Sequence, residues 1–216
     1  MPADSPTGSS ARRAGHVYYG ASPDRPLIIS LPRVEATPDI PLPDAGPFLR
    51  VCAGIEEPGT AMLRIAREMV GMWRYSHEHR PTDPHDLAQL NEKLNLSVFL
   101  LDQEAGGHLK AVAHQENTPL SPSTYGQWVS WLVWKYVLYA LRQHDPQHAE
   151  RDAAALSWCI ESFNELVSAA REGRLRLPKE QGPEGDGTQF PPRQVWPEPP
   201  NTDSGTDGHH PTPADH

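Results

Sequence analysis

Residues 148–178 read HAERDAAALSWCIESFNELVSAAREGRLRLP. Leu156, Cys159, Ile160, Phe163, Leu166, Val167 and Ala170 recur at three- and four-residue steps, setting one apolar stripe along a helix from about His148 to Arg171. Gly173 stands where helices commonly end, and Pro178 lies just beyond it. Glu161 and Glu165 form an acidic pair at helical spacing, read as the solvated side of the same helix because no second acidic pair answers it.

Three more helices precede this one. Thr60, after Pro58-Gly59, starts a helix whose Met62, Ile65, Ala66, Met69 and Trp73 share a face, and which ends near His77–Arg80 before Pro81. Asp83 as N-cap, Pro84 at the first helical position and Asp86 in the first turn start the second, with Leu87, Leu90, Leu94, Val98 and Leu101 on one face up to Gly106-Gly107. Residues 108–117 form a link with room for a short helix around Leu109 and Val112. Ser121-Pro122-Ser123-Thr124 caps a third helix, which runs to about Gln143 before Pro146. Four helices of about 20 residues, each about 30 Å long, predict an all-α four-helix bundle.

Proline separates this domain from its flanks: residues 1–47 hold nine, residues 178–216 hold nine, and residues 48–177 only six. Three regions follow: a disordered or extended proline-rich arm (1–47), a helical domain (48–178) and a disordered acidic tail rich in Pro and Gly (179–216). Within the arm, 16–19 and 27–31 are β-like runs, and Pro32, Pro38, Pro41, Pro43 and Pro47 predict an extended path.

The third helix departs from the amphipathic pattern. Trp128, Trp131, Trp134, Tyr136 and Tyr139, with Val129, Leu132, Val133, Val137, Leu138 and Leu141, cover nearly its whole circumference, and a helix apolar all round is buried on more than one side. In a four-helix bundle its outer face needs a cover: a second copy, the proline-rich arm or a membrane surface. A homodimer through these aromatic residues is the leading expectation. A membrane surface fits least, since Lys135 is the one charge on the helix before its end.

With 19 Lys and Arg against 28 Asp and Glu, the net charge is −9, so nothing draws the chain to a phosphate backbone, and no nucleic-acid partner is expected. Arg171, Arg174 and Arg176 cluster where basic residues complement a helix C-terminus. Two cysteines, Cys52 and Cys159, make no disulfide framework, and the N-terminus has no continuous apolar signal core, so a cytoplasmic location is expected. The most apolar run, Trp128 to Leu141, is too short to cross a bilayer, which takes about 20 residues.

Catalytic signatures are missing. The chain carries no Gly-x-Ser-x-Gly, no Gly-x-Gly-x-x-Gly and no phosphate-binding loop, and no Glu has a His three residues later. Cys159 lies on an apolar stripe and reads as a small buried hydrophobe; Cys52 has no neighbouring base. No cofactor is expected and no catalytic residue is assigned. Of the 11 histidines, His77, His79 and His85 gather at the turn between the first two helices, as metal candidates weighed against an ordinary His-rich surface turn. Asn91, Asn95 and Lys135 border apolar stripes and would mark a polar pocket if buried, with Glu161, Glu165 or Asp102 as the partner for Lys135. The alternative is that Lys135 reaches water along a stem packed on Trp131.

The stretch Leu156–Val167, the ending Arg171-Glu172-Gly173-Arg174-Leu175-Arg176-Leu177-Pro178, the segment Asp86–Asp102 and the entry Thr124-Tyr125-Gly126 resemble, in the same order along the chain, an actinobacterial (Streptomyces-like) family of small helical proteins catalogued only as a domain of unknown function. The resemblance spans roughly residues 60–178 and departs at the third helix, whose Trp and Tyr run is heavier. It implies a helical fold and an actinobacterial source, and it implies no site residues. A non-catalytic helical scaffold, self-associating and open to a protein partner, is the resulting expectation, with a ligand-binding or enzymatic bundle around Asn91, Asn95 and Lys135 as the alternative.

Overall fold

The computed structural model describes residues 33–178 together with two short strands, β1 (His16–Tyr18) and β2 (Leu27–Ile29). The strands pair antiparallel with Val17 opposite Ile28, inside the two β-like runs. The tail expected over 179–216 lies outside the described residues. Residues 33–178 are all-helical apart from one bridge, with five helices: α1 (Ala45–Cys52), α2 (Ala61–His79), α3 (Pro84–His108), α4 (Tyr125–Arg142) and α5 (Ala149–Arg171).

The additional helix is α1, and it corrects the extended path expected through Pro47. Asp44 caps it by accepting the Gly46 N–H at 3.1 Å, and Pro47 falls in the first turn, where an N–H has no helical acceptor to lose. Its Ala45, Phe48, Val51 and Cys52 are buried at helical spacing. The boundary expected between residues 47 and 48 therefore falls inside a helix.

The later helices obey their caps. Thr60 accepts the Leu63 N–H for α2, and Asp83 accepts the His85 N–H at 2.7 Å for α3. At α4 a capping box closes, with Gln127 N–H to Thr124 Oγ1 at 3.2 Å and Thr124 N–H to Gln127 Oε1 at 2.9 Å. α3 runs through Gly106 and Gly107 to His108. Gly107 serves the arm there, since a Cβ on it would sit 2.9 Å from both Ala36 Cβ and Val34 Cγ1. Beside it the buried Glu104 carboxylate accepts the N–H groups of Glu35 (3.0 Å) and Ala36 (2.8 Å), while Glu35 accepts the Ala61 N–H and pairs with Arg64 at 2.5 Å. Residues 33–36 thus tie the end of α3 to the start of α2.

No helix forms in the link after α3. It crosses to the end of α5 instead: Leu120 bridges Arg176, with Ser121 N–H to Arg176 O and Arg176 N–H to Pro119 O both at 2.8 Å. Gly173, at φ +70, packs against Ala113, whose carbonyl oxygen a Cβ would approach to 2.3 Å.

α4 packs against each of the other four helices, including the α1 that the sequence reading does not foresee. α1 covers part of its apolar surface, while Trp128, Trp131, Trp134, Tyr136, Leu138 and Tyr139 stay half-buried. Tyr125, at its first turn, is fully buried, edges toward Phe163 (5.3 Å) and Phe48 (6.3 Å), and donates its hydroxyl to Pro43 O at 2.7 Å. The segment entering α1 is held further by Asn164 Oδ1, which accepts the Ala45 N–H at 2.9 Å, and by Arg171, whose Nε (2.8 Å) and Nη2 donate to Leu42 O.

Candidate functional site

The five aromatic residues expected to share an interface divide between two sides of α4. Trp134 faces inward to α2, its ring 5.9 Å from Trp73. Tyr136 is half-buried, and burial beside Cys52 lifts its phenol above the ordinary range. Tyr139 is half-buried. Trp128 and Trp131 lie at the α4–α5 seam, edge to face at 5.1 Å, and there they meet a residue that the sequence reading left out: Trp158 of α5, 6.3 Å from Trp128 and 59% exposed. Three indoles therefore stand together at one seam. An indole left this open beside two others is an unusual exposure of apolar area, since the other four tryptophans among the described residues are all more deeply buried.

The expected polar pocket does not assemble. Asn91 and Asn95 are both exposed on α3, at the edge of the buried line of Leu90, Leu94 and Val98. Lys135 leans instead toward α5, its ammonium 4.4 Å above the Trp134 ring. Burial holds that ammonium below the ordinary lysine range, offset by the nearby Cys159 thiol and Asp152 carboxylate. None of Glu161, Glu165 and Asp102 serves as its partner. Asp152, only 6% exposed, is answered by Arg142 at 2.7 Å, and this pair pins the end of α4 to the start of α5.

The histidine turn is dispersed as well. His79 stacks on Tyr75 at 4.6 Å, His85 bonds Gln89 at 2.8 Å, and Glu78 beside them pairs with Arg74. Among the described residues no group of three or more His, Cys, Asp and Glu side chains is placed to hold a metal ion. An open groove of about 300 Å³ between residues 113–119 and the end of α5 is lined by Gln115, Asn117, Thr118, Glu172 and Arg174. Its two charges neutralise one another at 2.6 Å, so it offers a ligand no net charge. Both thiols are buried and pushed up, Cys52 to about 12 and Cys159 to about 11, which removes the thiolate needed for nucleophilic chemistry.

Asp102 has a separate duty at the α3–α4 junction. Its Oδ1 accepts the Gly126 N–H at 2.6 Å, so it caps α4 from a neighbouring helix, while Oδ2 is sealed from solvent. Burial lifts the carboxyl to about 7; the Gly126 N–H and the Thr124 hydroxyl pull the other way. Because the folded value lies above the unfolded one, near 3.8, this group stabilises the fold most below pH 4. That contribution is lost as pH rises through about 7. Asp102→Asn keeps the acceptor without the charge. At pH 8 it is expected to exceed the parent chain in stability by roughly 1–3 kcal/mol, and to match it at pH 4. Urea denaturation at both pH values checks this, and parallel differences at the two would refute the assignment.

Compared with known proteins, the chain matches no family model, no curated protein and no solved structure. No helix among the described residues is long and apolar enough to cross a membrane.

Proposed function

We propose that the protein is a non-catalytic helical scaffold that self-associates through the aromatic seam between α4 and α5. The observation that carries this reading is Trp158, 59% exposed beside Trp128 and Trp131. Large indoles that stay open on the free chain and cluster are the residues that dominate association energy when a partner desolvates them. The surface is narrower than the full aromatic set of α4, since Trp134 is turned to Trp73. In the same reading the four longer helices, with α1 packed on α2, α4 and α5, are a bundle kin to the actinobacterial helical family. The protein works in the cytoplasm, where Cys52 and Cys159 stay reduced. The buried, raised thiols and the self-neutralised groove support the non-catalytic part of the reading.

Light scattering on the full chain tests it. The expected result is a dimer at tens of micromolar, with Trp158→Ala weakening association about 30-fold, equivalent to about 2 kcal/mol. A full-length chain that stays monomeric at that concentration would sink the reading.

A further inference from the structure

Around Trp158 the solvent face of α5 is laid out symmetrically. Arg151 stands seven residues before it and Glu165 seven after, so all three fall on one heptad-spaced line. Ala154 lies four before and the half-buried Ser162 four after, leaving small side chains on both sides of the indole. Arg151, Ala154, Trp158, Glu161 and Glu165 are all exposed. Arg151 leans on Asp152 only at 3.6 Å, and that carboxylate is already answered by Arg142 at 2.7 Å. Glu165 makes no ion pair within 4 Å among the described residues.

We infer that the partner at this seam is a second copy, seated with its α5 antiparallel to this one across a two-fold axis through Trp158. A two-fold axis sets residues equally spaced before and after it opposite one another. Arg151 then faces the partner's Glu165, and Glu165 faces the partner's Arg151, two attractive pairs flanking the indoles. Ala154 faces the partner's Ser162, so the helices meet over small side chains. A parallel pairing in register would set Arg151 against Arg151 and Glu165 against Glu165, which the charges oppose. The line from Arg151 to Glu165 is about 21 Å long, a contact suited to a reversible dimer. This inference rests on the proposed self-association and specifies its register.

Charge reversal in the full chain tests it. In Arg151→Glu, two glutamates face each other at both ends of the stripe; in Glu165→Arg, two arginines do. Each variant alone is expected to dimerise about tenfold more weakly than the parent chain, while an equal mixture regains parental affinity, because the mixed dimer restores both pairs. Sedimentation velocity reads all three samples, and circular dichroism confirms that these exposed substitutions leave the helices intact. If the parent chain dimerises but neither reversal weakens it, or the mixture fails to recover, the register is overturned while self-association stands. If the parent chain is monomeric, the underlying reading falls too; a dimer gained only on deleting 179–216 would give Trp158 to the tail.

Discussion

Gly126→Ala is expected to destabilise the fold by about 3 kcal/mol or more, lowering the thermal midpoint by roughly 6–12 °C, although alanine is the better helix former. At the second position of α4 a Cβ would stand 2.3 Å from the carbonyl oxygen of Val98 and 3.0 Å from its carbonyl carbon and Cα. These are backbone atoms of α3, which cannot swing aside as a side chain does. Relief requires α3 and α4 to part, and parting breaks the bond from Gly126 N–H to Asp102 Oδ1 and opens a junction sealed around Asp102. Gly71→Ala supplies the control: nothing beyond the local backbone of its own helix lies within 4 Å of its new Cβ, so the same change in mid-α2 is expected to stabilise by about 0.5–1 kcal/mol. Thermal denaturation of the two variants side by side checks the pair of signs. If they shift together, the close approach at Val98 does not hold α3 to α4.

The contrast between these glycines shows where sequence reading reaches its limit. Capping residues and apolar spacing are local, so Asp83, Pro84, Thr124 and the stripe of α5 place their helices to within a residue or two. Gly126 looks like any helical glycine until the chain folds, because what excludes a side chain there comes from a residue 28 positions earlier. The first turn of α1 was illegible for a related reason. Pro47 reads as a helix breaker, and eight residues offer too little periodicity to outvote it, although Asp44 three residues ahead is an ordinary N-cap.

The aromatic surface was half legible. The all-round apolar character of α4 was plain, but it reports burial from every side and does not say by what. Part of that burial comes from α1, inside the chain. Trp158 sits one residue from Cys159, within a segment whose apolar stripe is complete without it. Its own position, off the line of Leu156, Cys159 and Phe163, was the available signal: a tryptophan on the wet side of an otherwise regular amphipathic helix. Asn91 and Asn95 show the converse error. Their four-residue spacing beside leucines places them near a stripe, yet on α3 that nearness stops short of the core.

Phe48→Ala is expected to cost about 3–5 kcal/mol, the effect of emptying a fully buried aromatic site, and to free α1 from the face of α4 that it covers. Phe48 is the apolar anchor of this short helix. Its ring lies 6.3 Å from both Tyr125 and Phe163, joining α1 to α4 and α5 at one point. The remaining ties are the smaller buried side chains of Ala45, Val51 and Cys52 and four polar bonds that flank that point: Tyr125 to Pro43 O, Asn164 to the Ala45 N–H, Arg171 to Leu42 O, and Arg67 Nη1 to Val51 O at 2.7 Å. Each such bond nets about 1 kcal/mol in water, and a helix of eight residues has little stability of its own, so the polar ties do not hold α1 down once the ring is gone. The variant should therefore bind a hydrophobic dye that the parent chain excludes, and its α1 amides should exchange faster than those of α3 and α5. Tyr125→Phe separates packing from hydrogen bonding: it keeps the ring, frees Pro43 O, and is expected to cost only about 1 kcal/mol without exposing α4. A Phe48→Ala chain that loses less than about 1 kcal/mol and excludes the dye would mean that α4 is covered by something other than α1, and the outer face of that helix would again need a partner.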